Sequence, residues 1–230
     1  MQNIYEPIPV KIQKIQEYSE SVKLFRLAKL DGSAFPLNEK GLVFMPGQFI
    51  LAGMWGYGES PFGPASHPND SSCIEIIVRK VGQVTSAFHS LKEGDELTLR
   101  GPYGNGYPVD FFSGKDVILV TGGCGIPPIA SLIEHIISNR NDFGEVHLLY
   151  GATTPDDLLM KDRMNEWRKK INVVLTVDKP ACNWDGNTGF VTDCLEHLKI
   201  NPANTVAAMC GPGPMISAIE NLLNPIGIPD

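Results

Sequence analysis

The sequence predicts a β plus α/β protein: an antiparallel Greek-key barrel over residues 1–112, then a parallel α/β sheet over residues 113–230 whose last strand is missing. Three observations carry this reading. The first half is broken into short extended runs by Gly, Pro, Asn and Asp. From Lys115 onward, buried-strand runs alternate with helix-period segments. Two glycine-containing turns fall where a hydrophobic strand passes into a helix.

In the first half, VKIQKIQEY and VKLFRLAKL flank a polar SES turn, and QFILAGM, CIEIIVRKV and ELTLRG follow as further strands. VTSAFHSL breaks the strand pattern. Its apolar residues recur at helical intervals behind Thr85, giving a short helix that begins beside Gly82. In the second half, KDVILVTGG precedes a helix at PPIASLIEHIISNR, and EVHLLYGA precedes one at PDDLLMKDRMNEWRKK. INVVLTVD then leads to TDCLEHL, and NTVAAMCG to PMISAIENLLN. Such alternation gives a parallel sheet wrapped by helices. The polar FFSGKD stretch, near residues 112 to 116, marks the expected boundary.

A length of 230 residues with 43% hydrophobic and 20% charged residues suits two folded domains. The net charge of −7 and the absence of a Lys/Arg-rich run argue against nucleic acid as a partner. The first sixteen residues have neither the basic start nor the apolar core of a signal peptide, and no apolar run is long enough to span a bilayer. A cytoplasmic protein without membrane insertion is expected. The cysteines, Cys73, Cys124, Cys182, Cys194 and Cys210, are odd in number and form no C-x-x-C pair, so neither disulfides nor a metal site is expected within the chain.

The most informative segment is VILVTGGCGIPPIASLI. Gly122, Gly123 and Gly125 let the backbone turn tightly and bring N–H groups to a pyrophosphate, and Pro127 and Pro128 open a helix whose N-terminus carries partial positive charge. This Rossmann-like arrangement suits a dinucleotide, although a plain turn between packed elements accounts for the same glycines. A second turn, MCGPGPMI, places Cys210, Gly211 and Pro212 at a strand end and Met215 at a helix start. Loops at the carboxyl ends of parallel strands share a rim, so both turns are expected to face one ligand. Cys210 also fits the bland role of a small buried apolar residue.

The combination of GGCGIPP, YGA at 150–152 and CGPGPM resembles the NAD(P)-binding domain of the ferredoxin–NADP reductase family. More narrowly, GQVTSAFHSLKEGDELTLRGPYGNGYPV, LLYGATTPDDLLMKD and LTVDKP are similar to the gamma subunit of sulfhydrogenases and related hydrogenase or anaerobic reductase modules. The resemblance covers nearly the whole chain. It implies a nicotinamide nucleotide against Gly122, Gly123, Gly125, Ile126 and Pro127, with Gly151, Ala152 and Thr153 on the adenosine side. Cys210 would lie near the nicotinamide as the one catalytic candidate, with Gly211, Pro212 and Met215 beside it. Thr153 stands where the family carries an Arg, which favours NADH while leaving NADPH open. Asp178 is placed at the rim of the same cleft or on a solvated loop.

For the flavin, FAD, the family's Arg-x-Tyr-Ser-x-x-Ser signature aligns with Ser60, Pro61, Phe62, Gly63, Pro64, Ala65 and Ser66. Phe62 can cover the ring system, but Ser60 offers no guanidinium and Gly63 no hydroxyl. The remaining contacts implied are Ile77, Val78, Arg79, Gly82, Val84 and Thr85. Gly101, Pro102 and Gly104 are expected to turn the chain between domains, and of the histidines only His67 lies beside the flavin segment.

The function implied is hydride exchange between NAD(P)H and a flavin, with single electrons passed to iron–sulfur and catalytic partner subunits. The family continues with a strand and a cysteine-rich [2Fe–2S] segment, so such a cluster is expected only if the polypeptide extends past Asp230. Two alternatives stand beside this reading. One is a flavin-free docking subunit, suggested by Ser60 and Gly63; the other is a free-standing flavin reductase.

Overall fold

The computed structural model describes residues 5–228; the outermost residues of both termini, including Asp230, lie outside that description. The described residues divide into two compact units, 5–107 with 130–134, and 108–129 with 135–228.

The first unit contains β1 (Ile8–Ser19), β2 (Val22–Lys29), β3 (Phe49–Met54), β4 (Gly58–Phe62), β5 (Ile74–Arg79), α1 (Gln83–Ser90) and β6 (Glu96–Tyr103). The strands form one antiparallel sheet in the order β4-β3-β6-β1-β2-β5. No continuous ladder closes it. A single bridge from Pro64, just past β4, to Ile76 of β5 brings the two edges together, so the sheet is barrel-like rather than a sealed barrel. Proline cannot donate to a ladder, and the pairing stops at one bridge.

Alternate residues of β1, β2, β5 and β6 point inward, so that Val10, Ile12, Phe25, Leu27, Ile76, Leu97 and Leu99 are buried together. Phe88 of α1 meets Phe25 edge-on at 5.7 Å, which seats the helix over the end of this core. The irregular chain from 30 to 48 adds Phe35, Val43 and Phe44 to the same cluster. β4 contains Pro61 and was not foreseen as a strand, and Gly101 and Pro102 lie inside β6 rather than in a connecting turn.

The second unit contains α2 (Val109–Phe112), β7 (Asp116–Gly122), α3 (Ile126–Ser138), β8 (Val146–Ala152), α4 (Lys161–Trp167), β9 (Asn172–Val177), β10 (Asn187–Thr188), α5 (Val191–Glu196), β11 (Thr205–Cys210) and α6 (Gly213–Leu223). Its sheet is parallel throughout, in the order β10-β9-β8-β7-β11. β7 lies inside the sheet between β8 and β11 and is almost wholly buried, as its continuous apolar run requires of a strand covered on both faces. β11 forms one edge of the sheet.

One predicted helix is mostly absent. The segment 155–170 forms a 3-10 turn at Pro155–Asp157, an irregular piece at 158–160, and only then α4. Leu158, Leu159 and Met160 are buried, and Met160 is left-handed with φ of 57°. The Leu159 N–H donates to the phenol oxygen of Tyr150 at 2.9 Å instead of to a helical carbonyl. A tertiary hydrogen bond thus overrides helical propensity.

Candidate functional site

The parallel register places the residues of the two glycine turns on one rim. Cys210 pairs with Thr121, Thr121 with Tyr150, and Tyr150 with Leu175, at the carboxyl ends of four neighbouring strands. One step further along, Gly122 pairs with Gly151 and Gly151 with Thr176. Ala152 pairs with Val177, after which the Asp178 N–H donates to the Ala152 carbonyl at 3.0 Å. Asp178 and Thr153 are both exposed at this edge.

The glycines of this rim do different work. A β-carbon on Gly125 would come within 2.2 Å of the Cys210 carbonyl oxygen, so this glycine lets the two turns touch. A β-carbon on Gly122 would lie 2.9 Å from the Met215 sulfur, and one on Gly211 would meet the same side chain at 2.6 Å. Gly123 differs: its φ is +52° and a β-carbon there would meet nothing within 4 Å. It is therefore the glycine whose backbone faces open space, suited to the close approach of a phosphate. Pro127 lies in the first turn of α3, where a missing N–H costs no helical hydrogen bond, and Ile126 is fully buried beneath it.

Two buried hydroxyls that the sequence reading missed tie this rim together. Thr121, with no exposed surface, donates to the Cys210 carbonyl at 2.9 Å. Tyr150, equally buried, donates to the Gly123 carbonyl at 3.2 Å. Cys210 itself is half-buried, and burial pushes its thiol pKa up, so it remains a neutral thiol at pH 7. Its chemistry is that of a packing and contact group, not of a thiolate nucleophile.

In the first unit, Ser60, Phe62 and Gly63 are partly exposed on and just after β4, and Phe62 leans on Phe88 with ring centroids 5.6 Å apart. Pro61 is exposed, whereas Ser66 is buried and accepts the Glu75 N–H on its hydroxyl. Ile77 and Val78 are buried, leaving only Arg79 exposed at the end of β5. The α1 N-terminus follows directly. Gly82 has an extended backbone with open space where a β-carbon would be. Thr85 does not precede the helix but is its third residue. Its hydroxyl accepts the Val81 and Gly82 N–H groups at 3.0 and 2.9 Å and donates to the Gly82 carbonyl at 3.2 Å. That hydroxyl is committed to the turn, so the donors that the helix start presents are backbone N–H groups, with Val84 half-buried among them. His67 accepts the Asn69 N–H on its own Nδ1, a loop contact.

The residues present fit a flavin diphosphate through the open Gly82 and the α1 N-terminus, and a dinucleotide through the open Gly123 and the α3 N-terminus. The guanidinium and hydroxyl of the usual flavin signature are absent at Ser60 and Gly63.

Comparison with known proteins gives the same two parts. Residues 9–107 match an oxidoreductase FAD-binding domain, and residues 119–221 an oxidoreductase NAD-binding domain. Fold and matches together define an FAD-binding, NAD(P)H-dependent flavin oxidoreductase of the ferredoxin reductase type. The sulfhydrogenase 1 gamma subunit of Pyrococcus furiosus is 36% identical, over 96% of this chain and 76% of that one. A probable dihydroorotate dehydrogenase B (NAD(+)) electron transfer subunit of Thermococcus kodakarensis is 34% identical, over 94% of this chain and 79% of that one. A ferredoxin NADP+ reductase from Neisseria gonorrhoeae, solved with FAD and NADP, shares the fold with a TM-score of 0.80 at 21% identity, over 96% of this chain and 92% of that one. The chain belongs to the ferredoxin reductase-like family of FAD/NAD-binding electron-transfer subunits that includes the sulfhydrogenase gamma subunits.

Proposed function

We propose that this chain is the NADH-side subunit of a redox complex, oxidising NADH and delivering electrons singly to iron–sulfur and catalytic partner subunits in the cytoplasm. The observation that carries the proposal is the single rim on which Gly123, Gly151, Thr153 and Cys210 stand, beside a family match that runs through both parts of the chain. When bound, the flavin accepts an electron pair as hydride and releases electrons one at a time, which is what a two-electron donor and a one-electron acceptor require of an intermediary.

The chain's own residues bind and orient. Backbone N–H groups from Gly123 to Ile126, with the positive end of the α3 dipole, hold the dinucleotide pyrophosphate, with Gly151 and Ala152 along the adenosine side. Thr153 supplies no cation for a ribose 2′-phosphate, and Asp156 and Asp157 in the next turn disfavour one, so NADH is preferred over NADPH. Cys210, as a neutral thiol, packs at the nicotinamide position without moving a proton. The α1 N-terminus and Arg79 hold the flavin diphosphate, and Phe62 lies against the ring system.

The relatives are named as subunits of a sulfhydrogenase and of a dihydroorotate dehydrogenase, which supports a multisubunit setting. No helix among the described residues is long and apolar enough to cross a membrane. Affinity purification of the tagged full-length protein from its native host tests the proposal. Co-purified iron–sulfur subunits that become reduced by NADH are expected. Rapid NADH oxidation by the chain alone, with no associated iron–sulfur protein, would overturn the role as a subunit.

A further inference from the structure

We infer that Tyr150 is a positioning residue for nucleotide binding: its buried hydroxyl fixes the orientation of the Gly123–Cys124 peptide, and with it the direction of a phosphate-binding N–H. This inference rests on the proposed use of the Gly123 turn for NADH.

The phenol group sits at the end of β8 with no exposed surface, and it bridges two other pieces of chain. It accepts the Leu159 N–H at 2.9 Å and donates to the Gly123 carbonyl at 3.2 Å. A hydroxyl has one proton to give, and here that proton goes to Gly123. The bond from Leu159 holds the phenol oxygen in place, because Leu158, Leu159 and Met160 are themselves buried and cannot swing away.

The consequence follows from peptide geometry. In a planar trans peptide the C=O and the following N–H point in opposite directions. With the Gly123 oxygen drawn towards Tyr150, the Cys124 N–H is directed away from it, on a turn where Gly123 opens onto free space. A flip of this peptide would turn an oxygen, with its partial negative charge, towards the phosphate. Gly123 opens the 3-10 turn Gly123–Gly125 at φ +52°, a conformation glycine can leave at little cost, so a restraint from outside the turn has something to hold. Tyr150 supplies it from a rigid central strand.

Thr121, a hydroxyl of equal burial on the adjacent strand, holds the Cys210 carbonyl instead. Tyr150→Phe keeps the ring and removes only the bridging oxygen. In the FAD-loaded full-length protein, Tyr150→Phe is expected to weaken NADH binding by about tenfold, the loss of one hydrogen-bonded constraint. Flavin content, and the rate of flavin reduction at saturating NADH, should stay within about twofold of wild type, whereas a merely structural lesion would lower them together. Equal NADH affinity in wild type and Tyr150→Phe would overturn the inference. Failure of wild type itself to bind NADH would instead overturn the functional reading on which it rests. Should Tyr150→Phe not fold, amide hydrogen exchange on wild type decides the matter: NADH must slow exchange at Leu159 as well as at Cys124, and protection of Cys124 alone would overturn the inference.

Discussion

The two candidate nucleotide sites are built on opposite plans. At the glycine rim of the second unit, the turns are locked by contacts among themselves: Gly125 against the Cys210 carbonyl, Gly122 and Gly211 against Met215, and two buried hydroxyls reaching backbone carbonyls. At the α1 end of the first unit, Ser60, Phe62 and Gly63 are partly exposed, Gly82 borders open space, and the Thr85 hydroxyl is consumed by its own turn. The first arrangement is set before any ligand arrives. The second offers unengaged backbone donors and little side-chain chemistry, so its ligand must contribute more of the order. Preorganisation of this kind decides how much binding energy survives the cost of ordering.

The largest expected effect lies in the locked region. Gly125→Ala puts a methyl group into a backbone carbonyl that cannot move aside, at a cost of ~3 kcal/mol or more. NADH binding should fall by about a hundredfold or be lost, with a lowered melting temperature. Gly123→Ala meets no atom and carries only the strain of a left-handed alanine, ~1–2 kcal/mol. Calorimetric titration of both variants measures the contrast. Equal losses would erase the distinction between a glycine that packs and a glycine that presents its backbone.

A smaller effect is expected at α1. Gln83 is the first residue of the helix, is exposed, and follows an extended Gly82. Proline is well tolerated there, so Gln83→Pro should preserve the fold while deleting one N–H from the helix start. If backbone donors hold the flavin diphosphate, FAD affinity should weaken by about tenfold with the melting temperature of the FAD-free protein unchanged. Unchanged FAD affinity would move the flavin contact elsewhere.

The smallest effect concerns Glu59 on β4 and Arg100 on β6, which pair across β3 through two hydrogen bonds of 2.5 and 2.9 Å. The Arg100 guanidinium holds the Glu59 carboxyl below its ordinary pKa. A depressed folded-state pKa gives stability that is present above the ordinary carboxylate value and is lost as pH falls through the folded one. The pair is solvent-screened, so Glu59→Gln should lower the melting temperature only slightly at neutral pH and not at all in acid. Thermal unfolding at both pH values checks this, and a loss that persists in acid would point to packing rather than charge.

Much of this architecture is legible in the residues themselves. The alternation of apolar residues in β1 and the continuous run in β7 announce two kinds of sheet, and the two glycine turns fall where a rim must form. What escapes the sequence is set by long-range hydrogen bonds. The helix expected from Pro155 begins only at Lys161, because Leu159 gives its N–H to Tyr150. Thr85 resembles a cap preceding the helix but reaches back from its third position. The division of labour among Gly122, Gly123 and Gly125 depends on Met215 and Cys210, close to ninety residues away in sequence, and leaves no periodic mark.

The most direct test is anaerobic. The purified full-length protein, incubated with FAD and freed of excess, should carry the yellow flavin spectrum and lose that colour on addition of one equivalent of NADH. A protein that stays colourless after reconstitution, or a bound flavin that NADH does not bleach, would contradict an NADH-dependent flavoenzyme.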